Sequence, residues 1–353
     1  MSDLAAAAAS LFTVGFAGPA LDRDLEGLLE RGVGGVVLFS RNVGTPAEVL
    51  ELTRSLKRRA ERPLLVAVDQ EGGSVARLRN GFTRLPPLRA LGTHGDAALA
   101  RELGRVVGRE LAAVGIDWDF APVLDVDTNP ENPVIGARSL GAEPARVAEL
   151  GVAFAAGLGD SGVAACAKHF PGHGDTRQDS HLALPRLPHA LERLEALELL
   201  PFRAAAAAGV PSIMAAHIVF EALDAEYPAS MSAPVLGLLR QHLGYGGVIV
   251  TDDLEMKAIA DHFAIEEVAE RGLAAGVDVF LVCHTAALAH RAIDAIVRAV
   301  HGGRVSEETL KLAVERVARF TRRFARPPAA ASDLSSLDSE PHRAVVARLG
   351  SAP

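Results

Sequence analysis

Residues 163–181 read Val163-Ala164-Ala165-Cys166-Ala167-Lys168-His169-Phe170-Pro171-Gly172-His173-Gly174-Asp175-Thr176-Arg177-Gln178-Asp179-Ser180-His181. The first five are apolar, and so short a run has the length of a buried strand rather than a helix. The next fourteen residues hold three His, two Asp and a Lys. Their Pro and Gly turn the backbone sharply, which aims side chains instead of extending a regular element. Gathering so many ionisable groups at one strand end is costly unless they serve chemistry. The segment therefore predicts a strand that delivers a site at its C-terminal end.

Outward from it, apolar runs of the same kind recur at 11–16, 35–39, 64–68, 116–120, 212–216, 248–250 and 277–282. Most are rich in Val, Ile and Leu without alternation, as parallel strands covered by helices are. Amphipathic stretches lie between them, at 21–31, 46–60, 97–114, 144–160, 189–208, 234–243, 265–275 and 286–300. Thr45-Pro46 reads as an N-cap followed by Pro at the first helical position. Gly209 and Gly276 fall where helix C-caps are wanted. Eight strand-like runs alternating with helices predict a single (β/α)8 TIM-type barrel over residues 1–325. An open doubly wound sheet gives the same alternation, but no dinucleotide-type glycine fingerprint follows the first run.

Composition narrows the function classes. Of 353 residues, 49% are hydrophobic and 23% charged, which is globular rather than disordered or membrane-spanning. A net charge of −8 without a basic run argues against nucleic acid as partner. Cys166 and Cys283 both sit in apolar runs and read as buried hydrophobes, so a cytoplasmic location is expected. The Ala-rich residues 4–9 lack the basic start of a signal peptide. The Pro/Ala/Ser-rich residues 326–353 read as a tail or surface strap without a catalytic role.

In such a barrel the active site is built at the C-terminal ends of the strands. Residues just past the runs are Asp69-Gln70-Glu71, Asp125, Lys168-His169, His217 and Asp252-Asp253. Strand starts, by contrast, read mostly as Gly, Pro and Arg. A carboxylate such as Asp252 at a strand end can attack an electrophilic carbon, as glycosidases do. The plainer reading is a helix cap, and two adjacent Asp allow both, one facing the barrel mouth and one serving the backbone. A proton donor for the leaving oxygen is available in Asp179-Ser180-His181, since a neighbouring carboxylate orients an imidazole and favours its protonated form. Asp69 can accept hydrogen bonds from two neighbouring sugar hydroxyls, and Arg77 and Arg138 offer planar forks. Lys168 and His169 would line the floor.

These segments, with Arg138-Ser139-Leu140-Gly141, Met214-Ala215-Ala216-His217 and Thr251-Asp252-Asp253-Leu254-Glu255-Met256, resemble glycoside hydrolase family 3. They look most like its bacterial β-N-acetylhexosaminidases of the NagZ type, in the family's order and over residues 11–325. The resemblance implies Asp252 as nucleophile, His181 as acid/base with Asp179 as its partner, and Asp69, Arg77, Arg138, Lys168 and His169 as ligands of a terminal N-acetylglucosamine. It also implies a retaining enzyme with no metal and no cofactor. Removal of N-acetylglucosamine from anhydromuropeptides in cell-wall recycling would be its work; a chitooligosaccharide is the other substrate to consider. Leu140 stands where the family often has Phe, and Glu255 where a small Ser or Asn is common. Gly172 and Gly174 are expected hinges of the acid/base loop, and His173 and Asp175 its supports. No membrane partner is expected, and a monomer is the default.

Two rival readings differ in class. A metal-dependent barrel hydrolase would use His169, His173, His217 and Asp252 as ligands, although Lys168 beside them and the lack of a His-x-His pair on an early strand speak against it. A non-catalytic carbohydrate binder would need neither Asp252 nor the Asp179/His181 pair.

Overall fold

A computed structural model describes residues 2–328 and 333–350. Eight parallel strands close into a barrel: Phe12–Val14, Gly35–Leu38, Leu65–Val68, Trp118–Asp119, Ala164–Phe170, Ser212–Ala215, Val248–Asp253 and Val279–Val282. Each pairs with its successor in the chain, and the eighth closes on the first with Phe280 opposite Phe12. One strand falls at each expected apolar run, so the fold is the (β/α)8 barrel. Buried Val, Leu and Phe on both faces of these strands supply the driving force, at about 1.5–3 kcal/mol for each fully buried side chain.

The helices Arg23–Arg31, Pro46–Arg59, Ala97–Ala113, Pro144–Asp160, Ile265–Ala275 and Ala286–His301 lie between strands as expected. Thr45 caps the second of these through a reciprocal bond with Glu48, with Pro46 at its first position. Gly276 ends the Ile265–Ala275 helix at φ 110°, a conformation that a side chain would oppose. Elsewhere the elements differ from the sequence pattern. The stretch 189–208 splits at Leu197 into Leu191–Ala196 and Leu199–Ala207. The stretch 234–243 becomes the short helix Ala233–Gly237 and a π-turn, Leu238–His242. Ser2–Ala9 is a helix against Ala286–His301 and Glu307–Phe324.

The two ends of the barrel are used differently. Contrary to the expectation of Gly, Pro and Arg at strand starts, fully buried Asp117 and Asp278 sit there. Asp117 accepts from Val66 N and pairs with Lys57 at 2.8 Å and Arg326 at 3.1 Å. Asp278 accepts from Ile249 N and pairs with Arg240 and, at 3.1 Å, with Arg316. These carboxylates staple neighbouring strands and leave the opposite end for the pocket. Beyond the Glu307–Phe324 helix, the described part of the tail forms the turn Leu334–Ser336 and the helix Glu340–Ala347 against the flank of the barrel. Among the described residues no helix is long and apolar enough to cross a membrane.

Candidate active site

At the C-terminal end of the barrel lies a cavity of about 250 Å3. It is lined by Asp69, Arg77, Arg138, Lys168, His169, His181 and Asp252, seven of the eight side chains singled out from sequence. Asp179 is the eighth, and it reaches the cavity through His181. The floor is an ionic lattice. Lys168 Nζ lies 2.8 Å from Asp69 Oδ1 and 2.7 Å from Glu71 Oε1. Arg138 clasps Glu71 with two parallel bonds of 2.8 and 2.7 Å, and Arg77 reaches Asp69 at 3.3 Å. Burial pushes Glu71 up, yet Lys168 and Arg138 together hold its carboxyl well below the usual range. Burial likewise opposes the charge on Lys168, but Asp69 and Glu71 raise its pKa. Glu71, Lys168 and Arg138 therefore stay charged at neutral pH.

The strand pattern alone does not bring Lys168 and His169 to one cavity, because successive side chains alternate faces. A register shift between Lys168 and Phe170 against the sixth strand bulges the fifth strand at His169. Bulges re-aim side chains in this way. Asp125 then holds the bulge: its Oδ1 accepts from His169 N at 3.1 Å and His173 N at 2.7 Å, and its Oδ2 meets His169 Nδ1 at 2.7 Å. A second shift, between Val250 and Asp253, marks the end of the seventh strand. Asp252 there faces the cavity and accepts from Asp253 N at 2.8 Å. Burial raises its pKa, but the fields of His169 foremost, then His217, the Asp253 N–H and Lys168 outweigh it and keep the carboxyl ionised. Asp253 serves the backbone, accepting from Cys283 N at 3.1 Å and Glu255 N at 3.2 Å.

His181 and Asp179 stand at the mouth, ring Nδ1 to Oδ1 at 2.8 Å, with a second 2.8 Å bond from His181 N. Their loop is tethered in two ways. Ser180 Oγ meets His173 Nε2 at 2.9 Å, and Ser180 O accepts from Ala258 N at 3.2 Å. His173 is a strut: Thr176 Oγ1 takes its Nδ1 at 2.8 Å, and burial lowers its pKa to about 4, so the ring is neutral. Asp175 bonds Thr128 at 3.0 Å and lies 3.1 Å from Arg193. Gly174, expected as a hinge, serves close packing: a Cβ there would lie 1.7 Å from the Val126 carbonyl oxygen.

Glu71 and Asp125 escaped selection from sequence although both stood in the strand-end segments; what marks them is their partners, which only the fold supplies. Buried Asp119 was missed too. It accepts from Gln70 N at 2.9 Å, and burial pushes its pKa up to about 8. Glu255 accepts from His284 N at 2.6 Å and Thr285 N at 3.0 Å. Its extra carboxylate is thus spent on the loop after the eighth strand. The four-ligand metal reading fails on geometry. Both ring nitrogens of His173 are engaged, and so are both of His217, by Ser230 Oγ at 2.8 Å and the Asp253 carbonyl at 3.1 Å. The one lone pair of each neutral ring is thus already engaged in a hydrogen bond, and the described residues hold no group of three or more His, Cys, Asp or Glu set to bind a metal ion.

Known proteins resemble this chain in sequence and fold. The family model for the glycosyl hydrolase family 3 N-terminal domain matches residues 13–320. A β-hexosaminidase of Thiobacillus denitrificans is 44% identical over 275 residues, 76% of each chain. One from Neisseria meningitidis serogroup C is 42% identical over 271 residues, 74% of each. Among solved structures, a family 3 β-N-acetylglucosaminidase from a Paenibacillus species superposes with a TM-score of 0.95 at 46% identity, covering 98% of this chain and 68% of that one. NagZ from Neisseria gonorrhoeae, in complex with N-trifluoroacetyl-D-glucosamine, gives 0.79 at 32% identity over 97% of both chains. Matched by the family model along nearly the whole barrel, the chain belongs to glycosyl hydrolase family 3.

Proposed function

We propose that this glycoside hydrolase is a retaining exo-β-N-acetylglucosaminidase in which Asp252 is the nucleophile and His181, partnered by Asp179, the acid/base. One juxtaposition carries the reading: an ionised carboxylate in the wall of a closed-floored cavity, with a carboxylate-paired imidazole at its mouth. The Asp252 carboxylate attacks C1 of the bound sugar while the C1–O bond to the leaving group breaks. His181 gives its proton to the departing oxygen. The neutral imidazole then takes a proton from water as that water attacks C1, which frees the Asp252 carboxylate and restores the β configuration. Asp69 and Lys168 meet hydroxyls on the floor, and Arg77, Arg138 and His169 complete the grip on the terminal N-acetylglucosamine. A cavity of about 250 Å3 lies just under the range for drug-sized ligands, which suits one sugar ring and hence action at a chain end.

The named activities of the relatives support N-acetylglucosamine as the sugar, with a muropeptide or a chitooligosaccharide as the donor. Peptidoglycan recycling by a cytoplasmic monomer is the setting we assign. Incubation with a 5-fluoro N-acetylglucosaminyl fluoride, followed by peptide mass spectrometry, tests the mechanism. A glycosyl adduct on Asp252 is expected. An unlabelled Asp252, together with full turnover by Asp252→Asn, would point instead to participation of the substrate's own acetamido group and overturn the assignment.

A further inference from the structure

The polar side chains of the cavity fall into two depths. Lys168, His169, Arg138 and Asp69 are 2, 6, 15 and 16% exposed, whereas His284 is 53% and His181 63% exposed. A cavity that takes a sugar end-on keeps that sugar on its floor, so the rest of the substrate must leave through the mouth. Two histidines stand there. They come from the loops after the fifth and eighth strands, three places apart around the barrel. One is the proposed proton donor; the other has no role in the mechanism above.

His284 is held in place from three sides. Glu255 accepts the N–H groups of His284 and Thr285, fixing the backbone of the turn that starts the Ala286–His301 helix. The ring leans on Phe39, centroids 5.6 Å apart and planes 32° from parallel. Its Nε2 lies 3.5 Å from Asp253 Oδ2. Phe39 is itself braced by Arg41, whose guanidinium carbon sits 4.5 Å from the ring centroid. A half-exposed imidazole clamped this firmly has already lost most of the side-chain freedom that binding would otherwise remove.

We propose that His284 is the aglycone-side specificity residue, donating a hydrogen bond to and packing against the second sugar ring of the substrate, with Glu255 as its positioning residue. The proposal rests on the glycosidase reading. Asp253 raises the pKa of His284 by a hydrogen bond and by its charge, Glu255 adds to this, and burial and Arg41 oppose it. The ring is therefore biased toward its doubly protonated form, which only donates, and sugar oxygens are suitable acceptors.

The test compares two substrates with similarly poor leaving groups, N,N′-diacetylchitobiose and methyl N-acetyl-β-glucosaminide; only the first has a second ring. His284→Ala should lower kcat/KM for the disaccharide by about tenfold, and that for the methyl glycoside by less than about twofold. Glu255→Ala should act in the same sense, and Glu255→Gln, which keeps a carbonyl oxygen for the turn, should recover most of the loss. His284→Gln, which keeps a donor, should fall between His284→Ala and the parent. Equal losses on both substrates would overturn the proposal, since His284 would then act on the floor through Asp253; so would no loss on either. If the unmodified enzyme turns over neither compound, the glycosidase reading fails, not the assignment of His284 within it.

Discussion

Asp252 is set between burial, which favours its acid form, and the field of His169, which favours its base. The field wins, so its pKa lies below the ordinary carboxylate value. A nucleophile must be ionised, so kcat/KM should stay level on lowering the pH until it passes through that depressed value. His169→Gln removes the largest opposing cause, and the acid limb should then move upward. A kcat/KM–pH profile on an aryl N-acetylglucosaminide measures this, and an unmoved limb refutes it. His181 gives a second outcome at this scale. His181→Ala should slow a disaccharide by about 10²–10⁴-fold but a nitrophenyl glycoside far less, because a good leaving group needs no proton. Equal losses would remove its acid role. Strand-end position sufficed to pick out Asp69, Lys168, His169 and Asp252 from sequence. It marked Glu71 and Asp125 as well but gave them no role, because their work is done on other site residues: a carboxylate that clasps Arg138 or Asp125's grip on two backbone N–H groups leaves no local signature.

The loop after the fifth strand shows what elements add. Its foot is fixed by Asp125, by Gly174 against Val126, and by Asn132 on the His173 carbonyl at 2.7 Å. Its tip hangs on Ser180, through a side-chain bond to His173 and a backbone bond to Ala258. Ser180→Ala removes only the first, so it should reduce kcat on a disaccharide in the manner of a mild His181 defect, with about 1 kcal/mol lost in stability. Gly174→Ala should act otherwise, destabilising the whole protein by about 1–3 kcal/mol or more through the clash with Val126. Chemical denaturation set beside the leaving-group comparison separates the two. A Ser180→Ala enzyme with equal kcat losses on both substrate types would show that the tip does not carry the acid. Sequence located every barrel strand, because strands buried on both faces form short apolar runs. It misjudged where the fifth and seventh strands end, since a bulge allows polar residues to remain in the ladder. Gly174 read as a hinge because glycine marks both freedom and close approach, and only the position of Val126 tells them apart.

Over the whole molecule, the barrel divides structural from chemical charge: Asp117 and Asp278 lock the strand starts, and the ionic lattice of the pocket occupies the other end. A third carboxylate, Glu110 on the Ala97–Ala113 helix, joins parts far apart in the chain. It is 4% exposed and accepts from Thr83 N at 2.8 Å, Thr83 Oγ1 at 2.6 Å and Asp338 N at 2.9 Å, and its Oε1 lies 2.8 Å from His342 Nδ1. The tail is thereby strapped to the loop that begins at Arg77; its Pro/Ala/Ser-rich composition allowed for a surface strap but not for its anchor, which lies roughly 230 residues away in the chain. Glu110→Ala strands four polar groups and should cost about 2–4 kcal/mol, or roughly 5 °C in Tm. Activity should respond much less. Leu78, next to Arg77, is fixed independently by Gln70, whose amide bonds its N–H at 3.0 Å and its carbonyl at 2.8 Å. The strap's loss should therefore stop at Gln70, leaving KM for an aryl N-acetylglucosaminide within about twofold while Tm falls. A KM that rises several-fold in Glu110→Ala, and again in His342→Ala, would show instead that the tail sets the position of Arg77 and belongs to the sugar site.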